Sequence, residues 1–199
     1  MSTAIFGGTF DPVHMGHIRL LKTVLEAVDI DRTFVIPTKT PPHKQAKGLS
    51  GGEDRLEMLK LAVGDMNGVT VSGWELEREG KSYSYYTVRH FRELYPEGEL
   101  YFIMGSDMLL TFDQWYRADE LMKMCTPLCI TRCAEDTQAC REKAKRYPKA
   151  VFVEAEPFEV SSTQIRALAR ERRYGELEKL LDERVLGYIT AHKLYTNEE

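Results

Sequence analysis

Short apolar runs alternate with amphipathic segments along most of the chain, and this alternation predicts strands separated by helices. Apolar runs of strand length lie at residues 3–6, 33–36, 69–71, 100–104, 128–131 and 151–153. In the first three intervals, apolar residues recur at helical spacing: Ile18, Leu21, Leu25 and Val28; Leu56, Leu59, Val63 and Met66; Val88, Phe91 and Tyr95. The order predicts an α/β fold with a Rossmann-like, doubly wound parallel sheet.

After residue 153 the helical pattern continues to the end of the chain. Its apolar members are Ile165, Leu168, Leu177, Leu180, Leu181, Val185, Tyr188 and Ile189. Neither a linker nor a repeat interrupts the sequence. We therefore predict one domain over residues 1–199, with a Rossmann-like core at 1–155 and a helical C-terminal portion at 156–199 that completes the site.

The bulk composition narrows the function classes. The 199 residues are 43% hydrophobic and 29% charged, which is ordinary for a globular protein. The formal net charge of −4 argues against binding nucleic acid by bulk electrostatics, because that task usually requires a basic surface. We see no signal-peptide pattern at Ala4-Ile5-Phe6 and no run of membrane-spanning length, so we expect a cytoplasmic protein without a membrane partner.

The four cysteines, Cys125, Cys129, Cys133 and Cys140, lie close together in the sequence. Zinc sites prefer two separated pairs with two to four residues inside each pair, and this spacing does not match them. Cys129 also lies in an apolar run, which favours a small buried thiol. We therefore predict no metal bound by protein ligands.

Unusual residues follow several of the predicted strands. Ligands of open α/β sheets bind in the crevice at the carboxyl ends of the strands. Candidate segments at those ends are Gly7 to Pro12, Pro37 to Lys44, Gly105-Ser106-Asp107 and Ser161-Ser162-Thr163. The sequence therefore predicts that one rim of the sheet carries the site.

Two histidines open the first predicted helix. His14 and His17 are three positions apart, so both imidazoles can face one spot beside the positive end of the helix dipole. The preceding pair Gly7-Gly8 tolerates positive φ and is expected to let the backbone turn sharply. That spot suits a chain of phosphates.

Two further segments carry cationic or hydroxyl groups suited to phosphate. Lys44 lies in a proline-stiffened loop and can reach a phosphate as a point charge. At the start of a later helix, Ser161-Ser162-Thr163 offers more hydroxyls than one N-cap needs, which leaves spare donors. Arg166 in the same helix can form a bidentate bridge with an anion.

These motifs carry a resemblance to a known group of proteins. Gly7-Gly8-Thr9-Phe10-Asp11-Pro12-Val13-His14-Met15-Gly16-His17 with Ser161-Ser162-Thr163-Gln164-Ile165-Arg166 resembles the HxGH-type nucleotidylyltransferase superfamily. The closer match is the bacterial nicotinate-nucleotide adenylyltransferase family. Its further marks recur as Pro41-Pro42-His43-Lys44, Arg55 with Met58, Ser82-Tyr83-Ser84, Gly105-Ser106-Asp107 with Trp115-Tyr116, and Tyr188-Ile189 with Leu194-Tyr195.

The resemblance implies transfer of AMP from ATP to nicotinate mononucleotide, giving deamido-NAD and pyrophosphate in NAD biosynthesis. The implied ATP-binding residues are Gly7, Gly8, Thr9, Phe10, His14, His17, Gly105, Asp107, Ser162, Thr163 and Arg166. The implied substrate-binding residues are Lys44, Ser84, Trp115 and Tyr116, with Trp115 stacked on the pyridine ring. The implied catalytic residues are His14, His17, Lys44 and Arg166, with Mg²⁺ as cofactor held mainly by nucleotide phosphates.

The expected partners are therefore ATP and nicotinate mononucleotide, without nucleic acid or membrane; a homo-oligomer is compatible with the sequence. Thr38, Ser84 and Tyr86 depart from the family pattern. The alternatives are an adenylyltransferase for nicotinamide mononucleotide or phosphopantetheine, a cytidylyltransferase, and a nucleotide sensor without turnover. The phosphopantetheine alternative does not explain the presence of Trp115-Tyr116. A sensor without turnover could have lost catalytic residues, but none of the residues expected to carry the chemistry is replaced here.

Overall fold

A computed structural model of the protein describes residues 1–39, 49–147 and 149–196. Within these residues a single six-stranded sheet forms, in the order β3-β2-β1-β4-β5-β6, with every neighbouring pair parallel. The strands are β1 (Thr3–Gly8), β2 (Arg32–Pro37), β3 (Val69–Val71), β4 (Leu100–Gly105), β5 (Thr126–Thr131) and β6 (Val151–Glu154). The strand order reverses between β1 and β4, so the crevice between these two strands is where a doubly wound fold binds its ligand.

Ten α-helices connect or follow the strands within the described residues. They are α1 (Met15–Ala27), α2 (Gly52–Val63), α3 (Trp74–Glu77), α4 (Ser84–Leu94), α5 (Ser106–Leu110), α6 (Ala118–Met124), α7 (Ala134–Lys143), α8 (Ser162–Arg170), α9 (Tyr174–Leu177) and α10 (Glu183–Ala191). Two single 3-10 turns, Phe112–Gln114 and Ala144–Arg146, lie between them.

Alternation along the strands sends side chains into a separate core on each face of the sheet. On β1, Ala4 and Phe6 enter the core beneath α1, α2 and the C-terminal helices, whereas Ile5 enters the core beneath α4, α6 and α7. Both faces of β1 are therefore buried, which is why the strand reads as a continuous apolar run.

The predicted fold class is confirmed, and each predicted strand lies inside an observed one. The sequence pattern missed α5, α6 and α7 because they bury few side chains. In α7 the only buried residue is Cys140, and the rest of the helix is mostly polar or charged. A helix with so narrow an apolar stripe gives no periodic signal.

The cysteines behave as the apolar run around Cys129 predicts. Cys125, Cys129 and Cys140 are buried, and burial raises the pKa of the Cys125 thiol to about 12. Among the described residues, no group of three or more His, Cys, Asp or Glu side chains is arranged to hold a metal ion.

Across those same parts of the chain, no helix is both long enough and apolar enough to cross a membrane.

Candidate active site

The two glycines at the end of β1 serve packing and access rather than a turn. Neither Gly7 nor Gly8 has a positive φ, so the expected sharp turn at this pair is wrong. A Cβ on Gly8 would lie 2.8 Å from the ring of Phe10, whereas a Cβ on Gly7 would meet nothing within 4 Å. Gly8 thus makes room for Phe10, and Gly7 leaves one side of the strand end open.

The positive φ occurs two residues later, at Phe10. Its φ is 49°, and its side chain is 2% exposed. The ring packs edge-on against Phe6, with centroids 5.5 Å apart, and against His17, at 5.0 Å. Phe10 therefore packs against one side of the His17 imidazole and helps to fix its orientation.

His14 and His17 form a stacked pair at the start of α1. Their ring centroids lie 3.6 Å apart with planes inclined by 26°. The backbone N–H of His14, the N-cap residue, donates to Nδ1 of His17 at 3.2 Å. Because Nδ1 accepts this bond, the proton of a neutral His17 lies on Nε2, which can donate to a ligand.

Burial fixes the charge state of His14. The residue is 7% exposed, and its Nδ1 has no hydrogen-bond partner within the described part of the chain. Burial lowers the pKa of His14 from 6.5 to about 4. His14 is therefore neutral near pH 7 and would meet a phosphate as a hydrogen-bond donor, not as a cation.

Gly16 lies between the two histidines, at a position where close packing leaves no room for a side chain. A Cβ at this position would lie 2.7 Å from Cγ1 of Val160 and 3.0 Å from Nδ1 of His14. Those distances are too short for a real side chain, so Gly16 lets α1 approach the segment that leads into α8. The glycine of the His-x-Gly-His motif is therefore needed for packing, in addition to any chemical role of the two histidines.

The three hydroxyls at the start of α8 have separate tasks. Ser161 is the N-cap, and its Oγ accepts from the backbone N–H of Gln164 at 3.1 Å. Ser162 Oγ donates to the carbonyl of Pro12 at 3.0 Å, so its proton is committed to the β1–α1 loop. One hydroxyl caps the helix as expected, and of the two remaining hydroxyls Ser162 is already bonded to Pro12. Thr163 is exposed and accepts from Arg166, so its own proton is the spare donor that the sequence leads us to expect.

Arg166 joins α8 to the same loop. Its Nη1 donates to the backbone carbonyl of Asp11 at 2.7 Å, and its Nη2 donates to Thr163 Oγ1 at 3.2 Å. The side chain is 22% exposed. The structure thus brings His14, His17, Thr163 and Arg166 around the end of β1.

Across the crevice, β4 ends in Gly105, which is the N-cap of α5. A Cβ on Gly105 would lie 2.7 Å from Oδ1 of Asp107, because that carboxylate leans back over the glycine. Asp107 is exposed and therefore accessible to a ligand in the crevice. The absence of a side chain at Gly105 therefore allows the Asp107 carboxylate to take this position, where the strand order of the sheet reverses.

A second group of side chains surrounds the start of α4. Tyr116 is 41% exposed and stacks on Tyr83 with centroids 4.6 Å apart. The hydroxyls of Tyr116 and Tyr86 lie 3.4 Å apart. The guanidinium of Arg78 lies over the Tyr86 ring at 4.5 Å. Because α4 begins at Ser84, its first backbone N–H groups have no acceptor within the helix.

Trp115 lies beside this group and belongs partly to the core. It is half-buried, with its ring centroid 5.1 Å from Phe112 and 6.2 Å from Phe102. One side of the indole is thereby fixed, while the partial exposure leaves some of the ring accessible for stacking.

Sequence reasoning gave no role to two buried charged residues near these groups. Arg55, 2% exposed, donates to the carbonyls of Thr9 at 2.8 Å and Thr38 at 2.7 Å. Glu75, 4% exposed, accepts from the Thr87 hydroxyl at 2.5 Å, and burial raises its pKa. Arg55 carries a sequence signal, since a lone cation on the apolar stripe of a helix requires specific acceptors; Glu75 carries none.

Lys44, the remaining candidate for catalysis and substrate binding, lies outside the described residues, together with Pro41, Pro42 and His43. Lys39, five positions before Lys44, is described: its backbone N–H donates to Ser82 Oγ at 3.0 Å. The end of β2 therefore contacts the turn that leads into α4.

A parallel sheet in this order, with paired imidazoles opposite an arginine-bearing helix, defines a nucleotidyltransferase of the α/β type. In agreement, the model of the family described as cytidylyltransferase-like matches residues 5–168. This match includes the end of β1, both histidines and Arg166.

Relatives identify the branch. The chain is 37% identical over 191 residues to the probable nicotinate-nucleotide adenylyltransferase of Oceanobacillus iheyensis, covering 96% of this chain and 95% of that protein. It is 35% identical over 191 residues to the nicotinate-nucleotide adenylyltransferase of Bacillus subtilis, covering 96% of each. The chain belongs to the nicotinate-nucleotide adenylyltransferase family.

Solved structures agree on the fold. The nicotinic acid mononucleotide adenylyltransferase of Plasmodium falciparum, complexed with APC, superposes with a TM-score of 0.79 at 20% identity. The match covers 98% of this chain and 96% of the other. The complex of the same enzyme with NaAD superposes equally well, also at a TM-score of 0.79.

Proposed function

We propose that this chain transfers AMP from ATP to nicotinate mononucleotide, giving nicotinate adenine dinucleotide and pyrophosphate. The observation that carries the proposal is the convergence of the His14–His17 pair with Thr163 and Arg166 at the end of β1. Membership of the nicotinate-nucleotide adenylyltransferase family supports the acceptor. In this role the protein is a cytoplasmic enzyme of NAD biosynthesis.

The triphosphate lies between α1 and α8 in this proposal. Nε2–H of His17, held by the bond to Nδ1, donates to a phosphate oxygen. His14, neutral because of its burial, adds a second donor. Thr163 and Arg166 contact the triphosphate from the opposite side, and Lys44 contributes a further charge.

The rest of the ATP molecule follows β1 and β4. Gly7 has open space beside it, so the nucleotide can approach the strand backbone closely. Thr9, Phe10 and Ser162 shape the loop around the phosphates, and Asp107 accepts hydrogen bonds from the ribose hydroxyls beside Gly105. A carboxylate is a strong acceptor for such hydroxyls.

The acceptor lies on the side of α4. Trp115 stacks on the pyridine ring, and backbone N–H groups near Ser84 and Tyr116 receive the nicotinate carboxylate. The guanidinium of Arg78 beside this group makes the local field favourable to an anion. A carboxylate is thereby preferred over the neutral amide.

The chemistry needs no protein base. The acceptor phosphate is largely dianionic near neutral pH, since its second pKa is about 6. Its oxygen forms a bond to the α-phosphorus of ATP while the bond from that phosphorus to the oxygen bridging to the β-phosphate breaks, and pyrophosphate leaves. The side chains hold the two nucleotides in line and stabilise the charge of the departing group.

Mg²⁺ suits this site as an ion held mainly by the nucleotide. Mg²⁺ usually binds through substrate phosphates, water and at most one or two carboxylates, so it needs no dedicated cluster of protein ligands. When bound, Mg²⁺ would neutralise negative charge on the departing pyrophosphate.

The test is pyrophosphate release with ATP, Mg²⁺ and one of three acceptors: nicotinate mononucleotide, nicotinamide mononucleotide or phosphopantetheine. We expect release with the nicotinate compound at a kcat/KM at least tenfold above the others, because only its carboxylate pairs with the donors near Ser84 and Tyr116. Preferred use of another acceptor would show that the enzyme is an adenylyltransferase with a different substrate. Absence of pyrophosphate release with all three acceptors would contradict the proposal.

Two variants show that the release comes from this site. His17→Ala should lower turnover by roughly 100-fold, the usual loss when one preorganised donor to the transition state is removed. His192→Ala is the matched control, because that imidazole stacks on Tyr188 at 4.1 Å in the C-terminal region. It should keep turnover within twofold of the unaltered enzyme.

A further inference from the structure

The buried carboxylate of Asp11 joins segments that are far apart in the sequence. Asp11 is 1% exposed. Its Oδ1 accepts from the Ser50 backbone N–H at 3.3 Å, from the Ser50 hydroxyl, and from the Tyr195 hydroxyl at 2.8 Å. The β1–α1 loop, the approach to α2 and the C-terminal segment therefore meet at one oxygen atom.

The other oxygen of the same carboxylate faces Arg166. Oδ2 lies 3.7 Å from Nη1 of Arg166 and has no hydrogen-bond partner among the described residues. At that distance the pair attracts electrostatically without a hydrogen bond, which needs about 3.2 Å or less. Nη1 instead donates to the backbone carbonyl of Asp11.

This spacing keeps the guanidinium available to a ligand. A closer approach of Oδ2 would give the charge-assisted bond that arginine and carboxylate readily form. Such a bond would occupy donors of Arg166 and strengthen the attraction that Oδ2 already exerts on its charge. Three hydrogen bonds to Oδ1, from the Ser50 N–H, the Ser50 hydroxyl and the Tyr195 hydroxyl, oppose that approach.

Tyr195 is the donor from the C-terminal segment. Burial and the nearby negative charge of Asp11 raise the pKa of Tyr195, so the phenol stays protonated and donates. Its backbone φ is +62°, in the left-handed region that a non-glycine residue adopts only where its surroundings compensate the cost. The hydroxyl is thus held at Asp11 by a segment with a constrained backbone.

We propose that Tyr195 is a positioning residue for ATP binding: its hydroxyl retains the Asp11 carboxylate at a distance from Arg166, and so leaves the remaining N–H groups of that arginine available to the triphosphate. The proposal rests on the proposed function, in which Arg166 contacts the triphosphate. Removal of the hydroxyl releases Oδ1 on one side, the carboxylate turns towards Arg166, and the arginine competes less well for phosphate.

The experiment measures binding of the non-hydrolysable analogue α,β-methylene-ATP by calorimetry. Tyr195→Phe keeps the ring and removes only the hydroxyl, and we expect its Kd to rise about tenfold, the effect of one hydrogen bond to a charged group. In the kinetic assay the KM for ATP should rise similarly, with the KM for nicotinate mononucleotide within twofold of the unaltered value.

The matched control is Tyr188→Phe. The Tyr188 hydroxyl also donates to a carboxylate, Oδ1 of Asp54 at 3.0 Å, and ties α10 to α2. This variant should lose comparable thermal stability but keep the analogue Kd within twofold. An equal loss of affinity in Tyr188→Phe would indicate general loosening of the C-terminal region and overturn the proposal.

A double-variant cycle isolates the route through Arg166. In an Arg166→Gln background, Tyr195→Phe should cause less than a twofold further change in the KM for ATP, because the group on which it acts is gone. A persistent tenfold change would overturn the proposal, as would an unchanged Kd in Tyr195→Phe alone.

The outcomes separate this inference from the proposed function. An active enzyme with unchanged analogue affinity in Tyr195→Phe removes the inference only. Absence of turnover with nicotinate mononucleotide, together with a tenfold loss of analogue affinity in Tyr195→Phe, removes the proposed acceptor and keeps the inference.

Discussion

The imidazole of His14 illustrates how a single side chain is set for its task by its surroundings. It is 7% exposed, stacks on His17 and leaves Nδ1 without a partner among the described residues. A charged side chain buried at this position would lose its hydration at a large cost in free energy. A buried neutral imidazole instead offers a directional donor without the cost of desolvating a charge.

This burial predicts acid sensitivity. The pKa of His14 is about 4 in the folded chain against 6.5 for an exposed histidine. The unfolded chain therefore binds more protons between these values, so the contribution of His14 to stability is full above pH 6.5 and falls as the pH drops towards 4. Between pH 7 and pH 4.5 the loss should be about 2 kcal/mol.

The measurement is urea unfolding at both pH values, with His14→Asn as the variant that cannot titrate. Other groups contribute equally to both proteins, so the unaltered chain should lose about 2 kcal/mol more than the variant over this range. Equal losses in the two proteins would show that His14 does not titrate with a lowered pKa.

The start of α8 shows how an element divides its work among adjacent residues. Ser161 satisfies the helix, Ser162 ties the helix to Pro12, and Thr163 with Arg166 faces the crevice. A hydroxyl run in the sequence does not reveal this division, because all three side chains have the same chemistry. Their directions depend on the helical rotation of about 100° per residue and on what lies opposite.

These separate roles predict that a substitution at the N-cap of α8 changes the stability of the protein without changing its activity. Ser161→Ala should lower the free energy of unfolding by about 1 kcal/mol through loss of the N-cap, while the KM for ATP stays within twofold. Ser161→Asn should restore the stability, since asparagine caps equally well. Chemical denaturation and the pyrophosphate assay check both, and a large rise in KM with Ser161→Ala would place that hydroxyl at the ligand instead.

One of the two cores crosses the boundary at residue 155. Leu177, Leu181, Val185 and Ile189 of the C-terminal portion are buried in the same cluster as Phe6 of β1. The backbone N–H of Met15, at the start of α1, also donates to the carbonyl of Leu180 at 2.9 Å. The C-terminal helices therefore complete the layer that covers one face of the sheet.

This shared core bears on the predicted single domain. We expect one cooperative unfolding transition, because exposing the C-terminal helices would also expose the core beneath α1 and α2. Tryptophan fluorescence reports Trp74 and Trp115, both before residue 155, and far-UV circular dichroism reports helices throughout. Coincident denaturant midpoints are expected; an earlier loss of helix signal would indicate that residues 156–199 unfold as a separate unit.

The fold class follows from the sequence alone, and so does the prediction that the candidate nucleotide-binding residues lie at strand ends and helix starts. Buried parallel strands require continuous runs of apolar residues, and the helices that cover them require apolar residues at helical spacing. Both patterns are local, so they can be recognised in the sequence. The paired histidines and Arg166 were identifiable for a similar reason, since their spacing along a helix and their place after a strand are local facts.

How those residues are arranged and supported depends on long-range packing. Gly8 is needed for the Phe10 ring rather than for a turn, and Gly16 for the approach of Val160. The contact of Tyr195 with Asp11 joins residues separated by 184 positions. No local pattern encodes such a contact, because it depends on which surfaces meet when the helices pack on the sheet.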